Sequence, residues 1–226
     1  MLAGVDGTKR GWLAVIEYTP GKINLSEVSD FRQLLSNTNT GIVVVDVPIG
    51  LADSGQRGAD AEARKLLGRR ACCVFSAPVR PVLSCGSREE ASKVWSKVDG
   101  RKCTCQTWAI LCKVHTVDQI LRQDAGVRAR VFEGHPEVSF ALMNGGEAIP
   151  RGKKTPEGRR ARRGLLAQHF PQVDALLAAA PAGTSVDLLD ALAMLWTARR
   201  VSSKTAVMLP PNPGRDRFGL LPRIVA

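Results

Sequence analysis

The sequence lacks the features that would assign it to a membrane or secreted class. No apolar run approaches the ~18 residues that a membrane-spanning helix needs, so we expect no membrane partner. The first apolar strand begins within a few residues of Met1, which leaves no room for a signal peptide. We therefore expect a cytoplasmic protein.

Paired metal-binding spacings are also missing. Six cysteines are present, but no two of them have the C-x-x-C spacing, and the three histidines lie away from the cluster of Cys103, Cys105 and Cys112. In a chain of 226 residues this usage favours reduced thiols over a disulfide framework or a zinc site.

Acidic residues are scarce relative to basic ones. Lys and Arg number 32 against 21 Asp and Glu, which gives a net charge of +11. Such an excess favours polyanionic partners, with nucleic acid first among them, although a merely basic surface is an open alternative. The 44% hydrophobic and 23% charged content is ordinary, and the length predicts a single domain over residues 1–226 with its own core.

The first seventeen residues place an aspartate at the end of a strand. A short apolar run precedes Asp6, the glycine-bearing turn from Gly7 to Gly11 follows it, and Trp12 to Tyr18 reads as the returning strand. A carboxylate at this position is costly unless it is hydrogen-bonded, paired or bound to a cation. An aspartate that bonds the amides of its own turn is the simpler alternative.

A second aspartate ends the next buried strand. The alternating segment from Lys22 to Val28 predicts the third strand of an antiparallel meander, and a short helix from Asp30 to Ser36 leads into the polar connection at 36–41. The β-branched run from Gly41 to Asp46 is typical of a buried parallel strand. Because parallel strands end at one edge of a sheet, we expect Asp6 and Asp46 to lie together there.

The middle of the chain predicts helices packed on this sheet. We interpret residues from about 55 to 126 as a helical insertion with three helices, Asp60 to Arg70, Ser87 to Val98, and Thr104 to Arg122. A strand from Val127 to Glu133 then brings a third carboxylate to a strand end, and Pro136 opens a helix that runs to about Met143.

The last third carries the densest positive charge and two further acids. Residues from Arg151 to Arg163 predict a basic loop and a helix from about Pro156, which either grips phosphates or forms a solvated face. A helix from about Ser185 to Val201 holds Asp187 and Asp190 on one face. Capping explains one acid, whereas Asp190 interrupts an apolar segment in which an unpaired carboxylate is expensive. The tail predicts short extended pieces.

This order of elements resembles the RNase H-like fold, and within it the Holliday-junction resolvase branch, because the first helix lacks a glutamate. The chain resembles more closely the bacterial family called domain of unknown function 429, described as predicted RNase H-like nucleases. The resemblance rests on motifs that span nearly the whole chain, namely Val5-Asp6-Gly7, Gly11-Trp12, Val45 to Gly50, Val74-Phe75, Ala77-Pro78, Arg80, Gln106 to Ile110, Lys113, Glu133 to Glu137, Ser139-Phe140, Asn144 to Gly146, Lys153 to Thr155, and Asp190-Ala191. Cys72, Cys103 and Cys105 depart from it.

The resemblance implies a five-stranded mixed α/β sheet flanked by helices, with the helical insertion between its fourth and fifth strands. It also implies a nuclease that hydrolyses phosphodiester bonds of a structured DNA or RNA with two Mg²⁺ or Mn²⁺ ions. In that hypothesis Asp6 bridges both ions, Asp46 and Asp190 each bind one, Asp187 is a weaker ligand, and Glu133 is an outer ligand or base. The expected nucleic-acid contacts are Lys9, Arg10, Arg80, Lys153, Lys154 and Arg159.

Two other functions are compatible with the sequence. A binding protein for nucleic acid or a protein partner could keep this fold without turnover, and a homodimer is an open alternative to a monomer. The segment Asp6-Gly7-Thr8 also resembles the first phosphate loop of actin-like sugar kinases. Such kinases carry a duplicated second domain, and the sequence shows no internal repeat, which argues against this reading.

Overall fold

A computed structural model describes residues 1–37 and 41–226. These residues form a mixed α/β structure with one seven-stranded sheet in the order β3-β2-β1-β4-β5-β7-β6, flanked by helices. In the described ranges no helix is both long and apolar enough to cross a bilayer. The polar connection that we predicted at 36–41 falls partly on residues 38–40, which lie outside the described residues.

The chain opens with the predicted antiparallel meander. Strand β1 (Leu2–Gly7) pairs with β2 (Trp12–Thr19), and β2 pairs with β3 (Lys22–Val28). The Thr8 hydroxyl closes the first turn by accepting from Gly11 N at 3.1 Å. A Cβ at Gly11 would lie 2.1 Å from Val28 O, so only glycine lets the hairpin approach β3.

Three parallel pairings extend the sheet on the other side of β1. Helix α1 (Phe31–Asn37) leads to β4 (Ile42–Val45), which lies parallel to β1 with Val5 opposite Val45. Strand β5 (Val131–Gly134) lies parallel to β4, and the C-terminal residues of the chain add β6 (Met208–Leu209) and β7 (Ile224–Val225). The sheet therefore has seven strands instead of the predicted five, because the predicted extended tail pieces join it.

Helices lie between β4 and β5, where we placed the insertion. They are α2 (Gly58–Leu67), α3 (Arg88–Asp99), α4 (Cys105–Gln123) and α5 (Ala125–Arg130), with 3₁₀ turns at Gly68–Cys73 and Arg80–Ser84. The strand that we predicted from Val127 to Glu133 is wrong in its first half, since residues 127–130 belong to α5. The Asp124 carboxylate caps this helix by accepting from Val127 N at 3.0 Å, which outweighs the alternating pattern.

Four further helices complete the second layer, α6 (Pro136–Met143), α7 (Pro156–Ala167), α8 (Val173–Ala179) and α9 (Ser185–Ser202). One apolar cluster joins α1 and α4 to the Val5 side of the sheet, and another joins α6, α7, α8 and α9 to the Val44 side. Helix α9 crosses β1 at Gly4, where a Cβ would lie 2.0 Å from Leu195 N and 2.1 Å from Ala191 O. This contact brings the neighbouring Asp190 to the sheet.

Candidate functional site

Asp6 and Asp46 lie beside each other where two parallel strands end. Val5 pairs with Val45, so the next residue of each strand is an aspartate, and Asp46 N donates to Val5 O at 3.1 Å. Asp6 is buried and Asp46 is half-buried. Because side chains alternate along a strand, both aspartates share the face of Gly4 and Val44, which is the face that α9 covers.

Asp190 reaches the same place from α9. Its side chain is fully buried, as expected for a residue between Leu189 and Ala191 on the core-facing side of this helix. One carboxylate oxygen, Oδ1, is buried and has no hydrogen-bond partner in the described part of the chain. Asp187 lies three residues earlier, in the first turn of α9, and is half-buried.

Burial and mutual repulsion oppose ionisation of these acids. Burial, together with the charges of Asp190 and Asp46, raises the pKa of Asp6 well above its ordinary value. Burial raises the pKa of Asp46 to about 6 and that of Asp190 to about 6, in each case against the opposite effect of a nearby lysine. Burial also raises the pKa of Asp187. The acids therefore form a cluster that requires positive charge.

Lys153 supplies positive charge within the cluster. Its Nζ donates to Asp190 Oδ2 at 2.6 Å, and the Lys153 side chain is 40% exposed. Burial disfavours the ammonium, but the charges of Asp190 and Asp46 outweigh burial and raise the pKa of Lys153. The sequence singled out this lysine as a phosphate contact, whereas the structure brings it to the carboxylates.

The loop that carries Lys153 is held by contacts at its base. Arg162 Nη1 donates to Arg151 O at 3.1 Å, and Thr155 N donates to Gly152 O at 3.0 Å. A Cβ at Gly158 would lie 2.0 Å from Gly152 O, so the start of α7 packs directly on this loop. These contacts therefore fix the backbone of the loop that carries Lys153.

Glu137 is an acid near the site that our sequence analysis did not select. It lies in the first turn of α6, and its carboxylate accepts from Arg162 Nη2 at 2.7 and 2.6 Å. Its charge contributes to the raised pKa of Asp46, although burial is the larger cause. The position of Glu137, directly after Pro136 and close to the end of a strand, could have marked it as a site residue. We selected Glu133, in the strand itself, instead.

Glu133 does not join the cluster. Glu133 pairs with Val45, the residue before Asp46. Because side chains alternate along a strand, the Glu133 side chain lies on the face of the sheet opposite to Asp46. There its oxygens accept from Arg57 Nη2 at 2.7 Å, Arg57 Nη1 at 2.8 Å and Ile49 N at 2.7 Å. Burial raises the pKa of Glu133 against the influence of Arg57. The carboxylate belongs to a structural ion pair, which leaves it no geometry for a ligand or base at the cluster.

The predicted nucleic-acid contacts lie in different environments. Lys9 and Arg10 are exposed in the β1–β2 turn and line a cavity of about 290 Å³ together with Lys113 of α4. The Lys113 stem crosses Gly7, where a Cβ would lie 2.7 Å from Lys113 Cδ. This cavity thus adjoins the residue that follows Asp6.

The other predicted contacts differ in availability. Lys154 is exposed, and the half-buried Arg159 donates from Nη1 to Lys154 O at 2.7 Å. Arg80 is buried, donates to Asp118 Oδ2 at 3.0 Å and forms a short ion pair with Asp216. Both partners are carboxylates of the same chain, so the Arg80 guanidinium is already engaged in ion pairs.

The acids have the chemistry of a divalent-cation site but not its arrangement. Carboxylate oxygens are the ligands that Mg²⁺ and Mn²⁺ prefer, and Asp190 Oδ1 is a buried oxygen without a partner. Within residues 1–37 and 41–226, however, no three His, Cys, Asp or Glu side chains form a group that could hold a metal ion. The ammonium of Lys153 supplies the positive charge instead.

Comparisons with known proteins identify a family and no individual relative. No curated protein and no solved structure matches the chain. A family model described as protein of unknown function DUF429 matches residues 4–215, a range that contains every residue of the acidic cluster. The chain therefore belongs to the DUF429 family.

Proposed function

We propose that the chain is a divalent-metal-dependent nuclease with an RNase H-like core. The observation that carries the proposal is the convergence of Asp6, Asp46 and Asp190 from two strand ends and one helix, with Asp190 Oδ1 left unpartnered. A meander followed by parallel strands β4 and β5, with the helix that carries Asp190 crossing β1, supports the RNase H-like assignment.

The described arrangement forms no three-ligand group, so in this proposal Asp6, Asp46 and Asp190 would hold Mg²⁺ or Mn²⁺ only after their carboxylates draw together. Asp187 would be an outer residue because it lies in the first turn of α9. Such ions activate a water molecule and stabilise the leaving oxygen of a phosphodiester. Cation and Lys153 compete for Asp190, since both need its oxygens. Arg162 bonds both Glu137 and Arg151 O and so holds the Lys153 loop beside the acids, where the Lys153 ammonium would lie near a bound phosphate.

The nucleic-acid backbone would bind beside Asp6. Lys9, Arg10 and Lys113 line one cavity there. Asp30 is the one acid among the described residues of its lining, and it accepts from Arg32 N at 2.9 Å. Phosphates attract such clustered cations, and the net charge of +11 assists their approach. The cavity therefore favours a nucleic-acid strand whose phosphates pass the β1–β2 turn and continue toward Asp6.

A cleavage assay tests the proposal. Purified protein with Mn²⁺ is incubated with end-labelled branched, RNA–DNA hybrid and single-stranded substrates, together with an Asp6→Asn variant. Asp53→Asn is the matched control, because Asp53 is a surface acid paired with Arg217 at 3.1 Å. We expect cleavage by the wild type and by Asp53→Asn, and a loss of at least 100-fold in Asp6→Asn. Absence of cleavage of all substrates by the wild type contradicts the proposal.

The ion pair of Lys153 with Asp190 favours a second candidate, a nucleic-acid-binding protein without turnover. In that case the lysine is the permanent counter-charge of the acids, and no cation is needed. Fluorescence anisotropy with the same substrates separates the two functions. Retained binding with lost cleavage in Asp6→Asn supports the nuclease, whereas binding by both proteins with cleavage by neither supports the binding module.

A further inference from the structure

A second cavity lies apart from the acidic cluster, between α5, β5 and the segment that precedes β7. Its volume is about 440 Å³, within the range of small-molecule sites. Apolar side chains of Ile49, Leu121, Val131 and Leu220 line it. None of Asp6, Asp46, Asp190 and Lys153 takes part in its wall, so it is distinct from the proposed nuclease site.

Arg128 and Arg223 line this cavity and differ from the other arginines of the protein. Both are half-buried, yet neither guanidinium has a hydrogen bond or ion pair within residues 1–37 and 41–226. Every other buried or half-buried arginine in these ranges donates at least one side-chain hydrogen bond. The two exceptions, Arg128 and Arg223, both line this cavity. No nitrogen of either guanidinium is buried without a partner in the described ranges, so both groups are accessible to an acceptor that enters the cavity.

The cavity has no free negative charge to satisfy these arginines. Among the described lining residues Glu133 is the only acid, and its carboxylate already accepts from Arg57 and from Ile49 N. Arg215 is an exposed third arginine of the lining, and its Nη1 donates to Gly219 O at 2.7 Å. The lining of the cavity thus combines three arginines with apolar residues.

We propose that this cavity binds a small organic phosphate whose remaining part is apolar or planar. Guanidinium groups match the oxygens of a phosphate in a bidentate manner, and three of them suit a dianion better than a single carboxylate. Leu121, Val131 and Leu220, which belong to one apolar cluster, would provide the contact surface for the uncharged part. The proposal stands on this cavity alone and does not depend on the nuclease activity.

Isothermal calorimetry with phenyl phosphate, inorganic phosphate and benzoate tests the proposal. Phenyl phosphate should bind saturably and at least 10-fold more tightly than either of the other two, because only it combines the dianion with a planar body. The double variant Arg128→Met/Arg223→Met should weaken it at least 10-fold. The matched control is Arg160→Met, an exposed arginine of α7 outside the cavity.

Two results would overturn the proposal, namely equal affinity of phenyl phosphate for the double variant and the wild type, and tighter binding of benzoate than of phenyl phosphate. Because neither guanidinium has a partner among the described residues, the unliganded double variant should melt near the wild-type temperature. If it does not fold, the single variants Arg128→Met and Arg223→Met carry the same test, each with at least a 3-fold loss expected.

Discussion

Lys153 Nζ lies 2.6 Å from Asp190 Oδ2 and joins a surface loop to the buried face of α9. Removing the ammonium in Lys153→Met should lower the stability of the metal-free protein at pH 7, because Asp190 loses its counter-charge. A fully buried pair would cost about 3–5 kcal/mol, and solvent screening of the partly exposed lysine reduces this to about 1–3 kcal/mol.

Chemical denaturation of Lys153→Met and of the neighbouring exposed Lys154→Met measures this effect. The Lys154 side chain is exposed, and we expect its removal to leave the free energy of unfolding unchanged within about 0.5 kcal/mol. Manganese should restore stability to Lys153→Met more than it stabilises the wild type, since the cation no longer competes with an ammonium. Equal stability of the wild type and Lys153→Met without metal would contradict this role.

The raised pKa of Asp46 predicts a pH-dependent effect of Asp46→Asn. A carboxyl with a folded-state pKa of about 6, above its unfolded value, binds more protons when folded between pH 4 and 6. Its stabilising contribution is present at low pH and is lost as pH rises through about 6. At pH 7 the asparagine variant should therefore be more stable than the wild type, by about 1–3 kcal/mol.

Denaturation of metal-free protein at pH 7 and at pH 4.5 measures the Asp46 effect. The advantage of Asp46→Asn should shrink toward zero at the lower pH, where the wild-type carboxyl is mostly protonated. Asp53→Asn, at the surface, should show no comparable pH dependence. An Asp46→Asn advantage that grows on acidification would be inconsistent with repulsion in the cluster.

Arg162 holds two groups in place, the loop that carries Lys153 and the carboxylate of Glu137. It is fully buried, and Arg162→Met leaves the Glu137 carboxylate without its partner, so we expect a loss of about 3–5 kcal/mol in the free energy of unfolding. Arg163→Met is the matched control on the same helix, because the Arg163–Asp174 pair is exposed. Denaturation curves should separate the two variants clearly, and similar curves would show that the buried pair has no special role.

Substitution by alanine should have opposite effects on stability at Gly4 and at Gly164. Gly4→Ala places a Cβ 2.0 Å from Leu195 N, so α9 must shift from β1, which should cost at least about 3 kcal/mol and separate Asp190 from Asp6. Gly164→Ala, in open space on α7, should stabilise by about 0.5–1 kcal/mol. Thermal melting checks both, and a stable Gly4→Ala protein would argue against the close crossing of α9.

The sequence predicted the parts of the site that follow from strand ends. Two apolar runs that each close on an aspartate indicated both the parallel pairing and the meeting of Asp6 with Asp46, and the register of Val5 with Val45 confirms the pairing. Asp190 stood out because an acid within an apolar helix needs a partner. These are local signals, readable without knowledge of the packing.

The features that the sequence did not reveal depend on register and on long-range packing. Glu133 ends a strand like the two aspartates, but a difference of one residue in register turns it to the other face, where Arg57 binds it. Which of many basic residues meets an acid depends on tertiary contacts, so the sequence could not separate Lys153 and Arg80 from exposed cations. The short strands β6 and β7 join the sheet only through pairing with distant residues.

The measurement that tests the account most directly is a calorimetric titration of the metal-free protein with Mn²⁺. We expect saturable binding to the wild type, at least 10-fold tighter binding to Lys153→Met, and loss of binding in the Asp6→Asn/Asp190→Asn double variant. Saturable binding that the double variant retains, or no binding to either the wild type or Lys153→Met, would contradict a metal site at this cluster.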